Sequence, residues 1–195
     1  MSSAAYHAPI ATSRSATGIP TGRLAIWWVL ASEIFIFGGL IASYLMFRLH
    51  HAHWGIEASH TNTIAGAVNT VVLLTSSLSA VLAHAAAERK DTDRAAKFLW
   101  YTIGGALMFL LVKSYEYTTE ISHGFHMFRD VFWSFYYTAT GLHAVHVIAG
   151  AIIMGIVANG VKKGQNLQRV EYIGIYWHFV DVVWIFLFPL LYIAK

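Results

Sequence analysis

The stretch from Tyr172 to Ala194 constrains this chain most. It is long and apolar enough to cross a bilayer as a helix at ~1.5 Å per residue. Near its middle sit His178 and Asp181, three residues apart and so on one helical face. A carboxylate at that depth costs about 3 kcal/mol or more unless it is paired or faces protein. The segment therefore predicts a membrane helix with an outward apolar side and an inward polar side. Such a helix needs neighbours.

Composition supplies them. The chain is 57% hydrophobic and 12% charged, whereas a soluble domain carries about 25% charged residues. The apolar residues come in long blocks. Five spans are predicted at about 24–49, 63–87, 98–117, 131–158 and 172–194. The expected fold class is all-α: a polytopic five-helix transmembrane bundle forming one domain over residues 23–195. Residues 1–22, rich in Ser, Ala and Thr, read as a flexible polar tail without the apolar core of a cleaved signal. The first span itself is expected to direct insertion. Cysteine is absent, which excludes disulfides, Cys-ligated zinc and iron–sulfur clusters.

The loops set an expected orientation. Arg14 and Arg23 precede the first span. Arg89, Lys90, Arg94 and Lys97 follow the second, and Lys162, Lys163 and Arg169 follow the fourth. The other side has only Arg48, Arg129 and Lys195. The positive-inside rule puts the N-terminus in the cytoplasm and the C-terminus in the periplasm. The basic residues flank membrane and do not interleave with aromatics, so no nucleic-acid partner is indicated.

Every span carries a group that lipid would reject. The first has Glu33, and the second has Asn69 with a run of hydroxyls and His84. The third has Lys113 and Glu116, the fourth His143 and His146, the fifth His178 and Asp181. Such faces turn toward one another. His143 and His146 share a face, and His178 could meet them from the next helix. That would suit a haem held by histidines of two helices, a mononuclear metal, or a hydrogen-bonded interior where imidazoles meet Glu33 and Asp181. The last is the expectation, because ligating histidines need an open cavity and supporting partners. Glu33 suits a proton relay or lipid-headgroup contact as well as a neutral structural carboxyl. Lys113 and Glu116, one turn apart near the outer interface, read as a self-neutralising pair. His50, His51, His53 and His60 read as a solvated loop.

Trp27, Trp28, Trp54, Trp100 and Trp133 read as interfacial anchors. Gly38, Gly39, Gly66, Gly104, Gly105, Gly150 and Gly155 read as close-packing positions. No phosphate loop, nucleotide motif, zinc-protease string or nucleophile–base arrangement is present. Glu33 and Asp181 as ion sites of a small transporter would call for paired broken helices or repeat symmetry, and neither is visible.

Five ordered motifs then point to a family. They are Ser32-Glu33 followed by Ile34-Phe35-Ile36-Phe37, and Asn69-Thr70 through Leu73-Leu74 to Ser76-Ser77. Glu116-Tyr117 and Thr140-Gly141-Leu142-His143-Ala144-Val145-His146 come next. Glu171 and the string Tyr176-Trp177-His178-Phe179-Val180-Asp181-Val182-Val183-Trp184 complete the set. Together these resemble subunit III of bacterial haem–copper cytochrome c oxidase, in its short five-helix type. The match runs from about Arg23 to Ala194.

The resemblance implies an accessory subunit of an aerobic respiratory complex in the bacterial inner membrane. Haem and copper would sit in partner subunits, with neither metal nor catalytic residue in this chain. Expected partners are the catalytic subunit I, subunit II, a fourth subunit, membrane phospholipids and a respiratory supercomplex. By the same resemblance, Glu33 and His146 form an intramembrane carboxyl–imidazole contact. His143, His178 and Asp181 share its polar interior, and Asn69, Glu116 and Glu171 are secondary candidates. Larger family members carry two further N-terminal helices that wall a lipid cleft. Relatives occur in quinol oxidases and nitric oxide reductases, and a bis-histidine b-type cytochrome is the alternative of another class.

Overall fold

A computed structural model describes residues 21–51 and 54–194. Among these residues every regular element is a helix, and five helices are long and apolar enough to span a membrane. They are α1 (Thr21–His50), α3 (Thr63–Glu88), α4 (Thr92–Ser122), α5 (Val131–Lys162) and α6 (Gln168–Phe188). A short α2 (Trp54–Ser59) was not expected from the sequence. The predicted tail falls outside the described residues up to position 20, as do Arg14, His53 and Lys195.

Helix starts follow side-chain chemistry. Asn62, Asp91 and Asp130 each accept a hydrogen bond from a first-turn amide, so the free N–H groups of α3, α4 and α5 find partners. Because Asp91 caps α4, that helix begins six residues before the predicted span. Arg94 and Lys97 lie in its first two turns rather than in a loop. At its other end α4 runs to Ser122, five residues past the predicted limit. It stops where Gly124 adopts a φ of +83° and the Phe125 amide bonds back to the Glu120 carbonyl.

Helices α3, α4, α5 and α6 form the packed core, and α1 leans on α6 and α5. The buried residues of α1 are Leu30, Phe37 and Tyr44, one every seven positions. That stripe is narrow, so Ile34, Phe35, Leu45 and Leu49 stay exposed. By contrast, α3 and α4 pack against each other and bury small side chains, Ala80, Ala83 and Ala87 on the one and Ala95, Ala96 and Ala106 on the other. Gly105 permits this approach, because a Cβ there would lie 2.6 Å from the Ser76 Cβ. Gly66 is similarly confined by Phe188. Gly38, Gly39 and Gly104 have open space where a Cβ would stand, so the expected packing role fails at those three positions.

The end bearing α2 is tied by polar contacts to the last turn. After Phe188 the chain widens into a π-helical turn, Pro189–Ile193, where proline supplies no amide hydrogen. The carbonyls at the end of this turn, which have no following helical amides, are met from elsewhere. Tyr44 donates to the Leu190 carbonyl at 2.7 Å, Thr61 to Leu191 at 3.4 Å and Thr63 to Tyr192 at 3.2 Å. The Trp54 indole donates to the Tyr44 hydroxyl at 3.1 Å. Trp54 and Trp133 are buried among Tyr44, Phe132, Phe125 and Tyr136, whereas Trp27, Trp28 and Trp100 are exposed. At the opposite end, Arg23 pairs with Glu171 and joins the first turns of α1 and α6.

Candidate functional site

Glu33 on α1 and His146 on α5 meet where the two helices converge. Glu33 Oε2 lies 3.0 Å from His146 Nε2, with side-chain exposures of 15% and 16%. His146 Nδ1 donates to the Leu142 carbonyl at 2.8 Å, which fixes the ring. A neutral imidazole with its hydrogen on Nδ1 has only a lone pair on Nε2. The Glu33 contact is therefore one of proximity: no hydrogen bond closes across it, and Glu33 Oε2 has no hydrogen-bond partner among the described residues. Phe37 packs edge-on against the ring at 5.3 Å.

This pair lies in the wall of a cleft of about 550 Å³ between α1, α5 and α6. Ile26, Val29, Val145 and Ile153 make it apolar, and Arg169 stands at the end near the Arg23–Glu171 pair. A second apolar groove of about 300 Å³, lined by Ile34, Gly38, Phe179 and Phe186, lies between α1 and α6. Long flexible apolar chains would suit both.

The other predicted residues spread through the core. His143 is fully buried between Phe109 and Trp184, with ring centroids at 5.4 and 5.2 Å, and neither nitrogen has a protein hydrogen-bond partner. His178 Nδ1 is 2.7 Å from Ser77 Oγ on α3. His178 could have met His143 and His146, but no hydrogen bond or ring contact joins it to either: His146 faces Glu33 and Phe37, and His143 faces Phe109 and Trp184. Asp181 lies beside Ser77 but makes no hydrogen bond to an imidazole, and both its oxygens lack a protein partner. Asn69 is buried with both amide atoms unpartnered. The indoles of Trp184 and Trp177 donate to Thr70 and Ser76 nearby. Among the described residues no three His, Asp or Glu are arranged to hold a metal ion.

Lys113 and Glu116 do form a pair, at 3.0 Å, and both are buried at 2% exposed. The Lys113 ammonium also donates to the hydroxyls of Tyr136, at 2.9 Å, and Tyr192. Glu120 completes the cluster, with Oε1 3.0 Å from Tyr136 Oη. Sequence reasoning missed Glu120, Tyr136 and Tyr192. The signal was present for Glu120: positions 113, 116 and 120 share one helical face, but the predicted span ended at 117. His50 and His51 close α1 by bonding the Met46 and Phe47 carbonyls, and His60 stacks on Phe125 at 4.6 Å.

Five ordered membrane helices and an α1–α5 carboxyl–imidazole contact are now in place, and comparison with known proteins decides the family. The profile of cytochrome c oxidase subunit III matches residues 11–195. The chain belongs to the cytochrome c oxidase subunit III family. The subunit 3 of Thermostichus vulcanus is 37% identical over 169 residues, covering 84% of this chain and 83% of that one. The subunit 3 of Corynebacterium diphtheriae is 34% identical over 173 residues, covering 85% and 84%. A heme-copper oxidase subunit I+III of Aeropyrum pernix is 30% identical over 183 residues, covering 88% of this chain and 22% of that longer one. Within this subunit III family member, the Glu33–His146 pair lies beside the cleft of about 550 Å³, whereas the Lys113 ammonium is enclosed by Glu116, Tyr136 and Tyr192.

Proposed function

We propose that this chain is the accessory subunit III of a terminal cytochrome c oxidase in the bacterial inner membrane, with its N-terminus cytoplasmic and its C-terminus periplasmic. The single observation that carries the reading is the family match across all five spans. The reaction belongs to the complex: electrons from cytochrome c reduce oxygen to water, coupled to proton translocation. Haem and copper would be held by partner subunits. This chain would stabilise the catalytic subunit and its lipids.

The geometry gives that role physical content. The clefts beside α1 suit phospholipid acyl chains, with Arg169 placed for an anionic headgroup. The exposed faces of α1 suit lipid or the catalytic subunit, and the relative named subunit I+III supports close packing of those two parts. Glu33 and His146 stand 3.0 Å apart at the cleft wall, a carboxyl–imidazole contact that suits proton supply to a neighbour better than a step in oxygen chemistry.

The test is Glu33→Gln in the intact oxidase. Initial oxygen consumption should stay close to wild type, with the loss appearing only over prolonged turnover. Immediate loss of most oxygen consumption would contradict an accessory role.

A further inference from the structure

Charge does not balance in the buried cluster at the end of α4. Lys113 brings one positive charge, and Glu116 and Glu120 bring two carboxyl groups to the same helical face. Glu120 is 5% exposed. The three hydrogens of the Lys113 ammonium are spent on Glu116, Tyr136 and Tyr192, so none remains for Glu120. Its Oε2 is buried without a protein partner.

Counting hydroxyl hydrogens sharpens the point. Tyr136 has one, yet its oxygen lies 2.9 Å from Glu116 Oε1 and 3.0 Å from Glu120 Oε1. One hydrogen cannot close two contacts to ionised carboxylates. The second closes only if a carboxyl contributes its own proton. Glu116 is tied to the Lys113 ammonium as its counter-ion, which leaves Glu120.

Glu120 is not sealed from water. It lines a separate recess of about 300 Å³, together with His60, Asn62, Glu116, His123 and Phe125. His60 and His123 are exposed at its rim. His123 Nδ1 donates to the Thr119 carbonyl at 2.7 Å, leaving Nε2 free for water. The recess is lined by none of the residues around the Glu33–His146 cleft.

We propose that Glu120 is a proton-holding carboxyl that exchanges its proton with water in this recess, through the imidazoles at its rim. The groups set against it are Lys113, Glu116 and Tyr117 on α4, Tyr136 and Tyr137 on α5, Tyr192 on the π-helical turn, and the two rim histidines. The inference rests on this cluster alone and stands or falls separately from the oxidase reading.

A water-soluble carbodiimide reports a protonated carboxyl. The carboxyl O–H adds across a C=N bond, with oxygen to the central carbon and the proton to nitrogen. The acyl group then shifts to nitrogen, giving a stable N-acylurea, and nothing leaves. Applied to the intact complex and read by peptide mass spectrometry, it should label Glu120 and spare Glu116. In Glu116→Gln the Lys113 ammonium needs a new counter-ion, so Glu120 ionises and its labelling should fall at least tenfold (~1.4 kcal/mol). An unlabelled Glu120 in the wild type, or unchanged labelling in Glu116→Gln, would overturn the proposal. Should that variant not fold, infrared spectra of wild type and Glu120→Gln decide. Glu120→Gln should remove one carboxylic-acid C=O band that shifts in D2O, and an unchanged spectrum would sink the idea.

Discussion

Lys113 and Glu116 lie 3.0 Å apart, one helical turn from each other, and each is 2% exposed. Lys113→Met would leave Glu116 with an uncompensated buried charge, and breaking such a pair costs about 3–5 kcal/mol. The double variant Lys113→Met/Glu116→Gln should recover part of that loss, because no unpaired ion remains. Thermal unfolding in mild detergent measures both, and equal melting temperatures for single and double variants would show that the charges are not coupled.

The glycines separate into two kinds. Gly105→Leu must push against the Ser76 backbone and side chain, and overpacking of that sort costs about 1–3 kcal/mol. Gly38→Ala meets nothing within 4 Å and should stabilise α1 by about 0.5–1 kcal/mol through helix propensity. Melting temperatures should move in opposite directions.

Tyr44 bridges α2 and the π-helical turn. Tyr44→Phe removes the donor to the Leu190 carbonyl and the acceptor of the Trp54 indole. Two polar groups lose their partner, at a cost of about 1–3 kcal/mol each where they stay dry. Hydrogen exchange should quicken at the amides of residues 190–194 and stay unchanged along α3. Uniform quickening along the chain would show global rather than local loosening.

The Arg23–Glu171 pair behaves differently because it is wet. Its side chains are 50% and 29% exposed, so Glu171→Gln should cost only about 0.2–1 kcal/mol, and raised salt should erase the difference. A larger loss that persists in high salt would mean the carboxylate supports packing rather than charge.

Much of this architecture was legible in the sequence because membrane helices announce themselves by length and apolarity. Spans two and five were placed to within a few residues. The third was cut short at both ends. Asp93, Arg94 and Lys97 look like loop residues, yet Asp91 caps the helix ahead of them. Lys113, Glu116 and Glu120 look like interface residues, yet Tyr136 and Tyr192 arrive from 20 and 79 positions along the chain to bury Glu116 and Lys113. Local spacing cannot show such partners. His178 and Asp181 are three positions apart on α6, and His178 finds its hydrogen bond on Ser77 of α3, 101 positions away in the chain. Trp54 and Trp133 carry the same residue type as the exposed Trp28, and only their aromatic neighbours, Tyr44 and Phe132 for the one and Phe125 and Tyr136 for the other, mark them as core.

The most direct test of the account is a reduced-minus-oxidised optical spectrum of what co-purifies with the tagged chain. In mild detergent, haem a bands should accompany it, and harsher detergent that strips its partners should remove them. A haem b signal that stays with the isolated chain would contradict the accessory assignment and make this a membrane cytochrome in its own right.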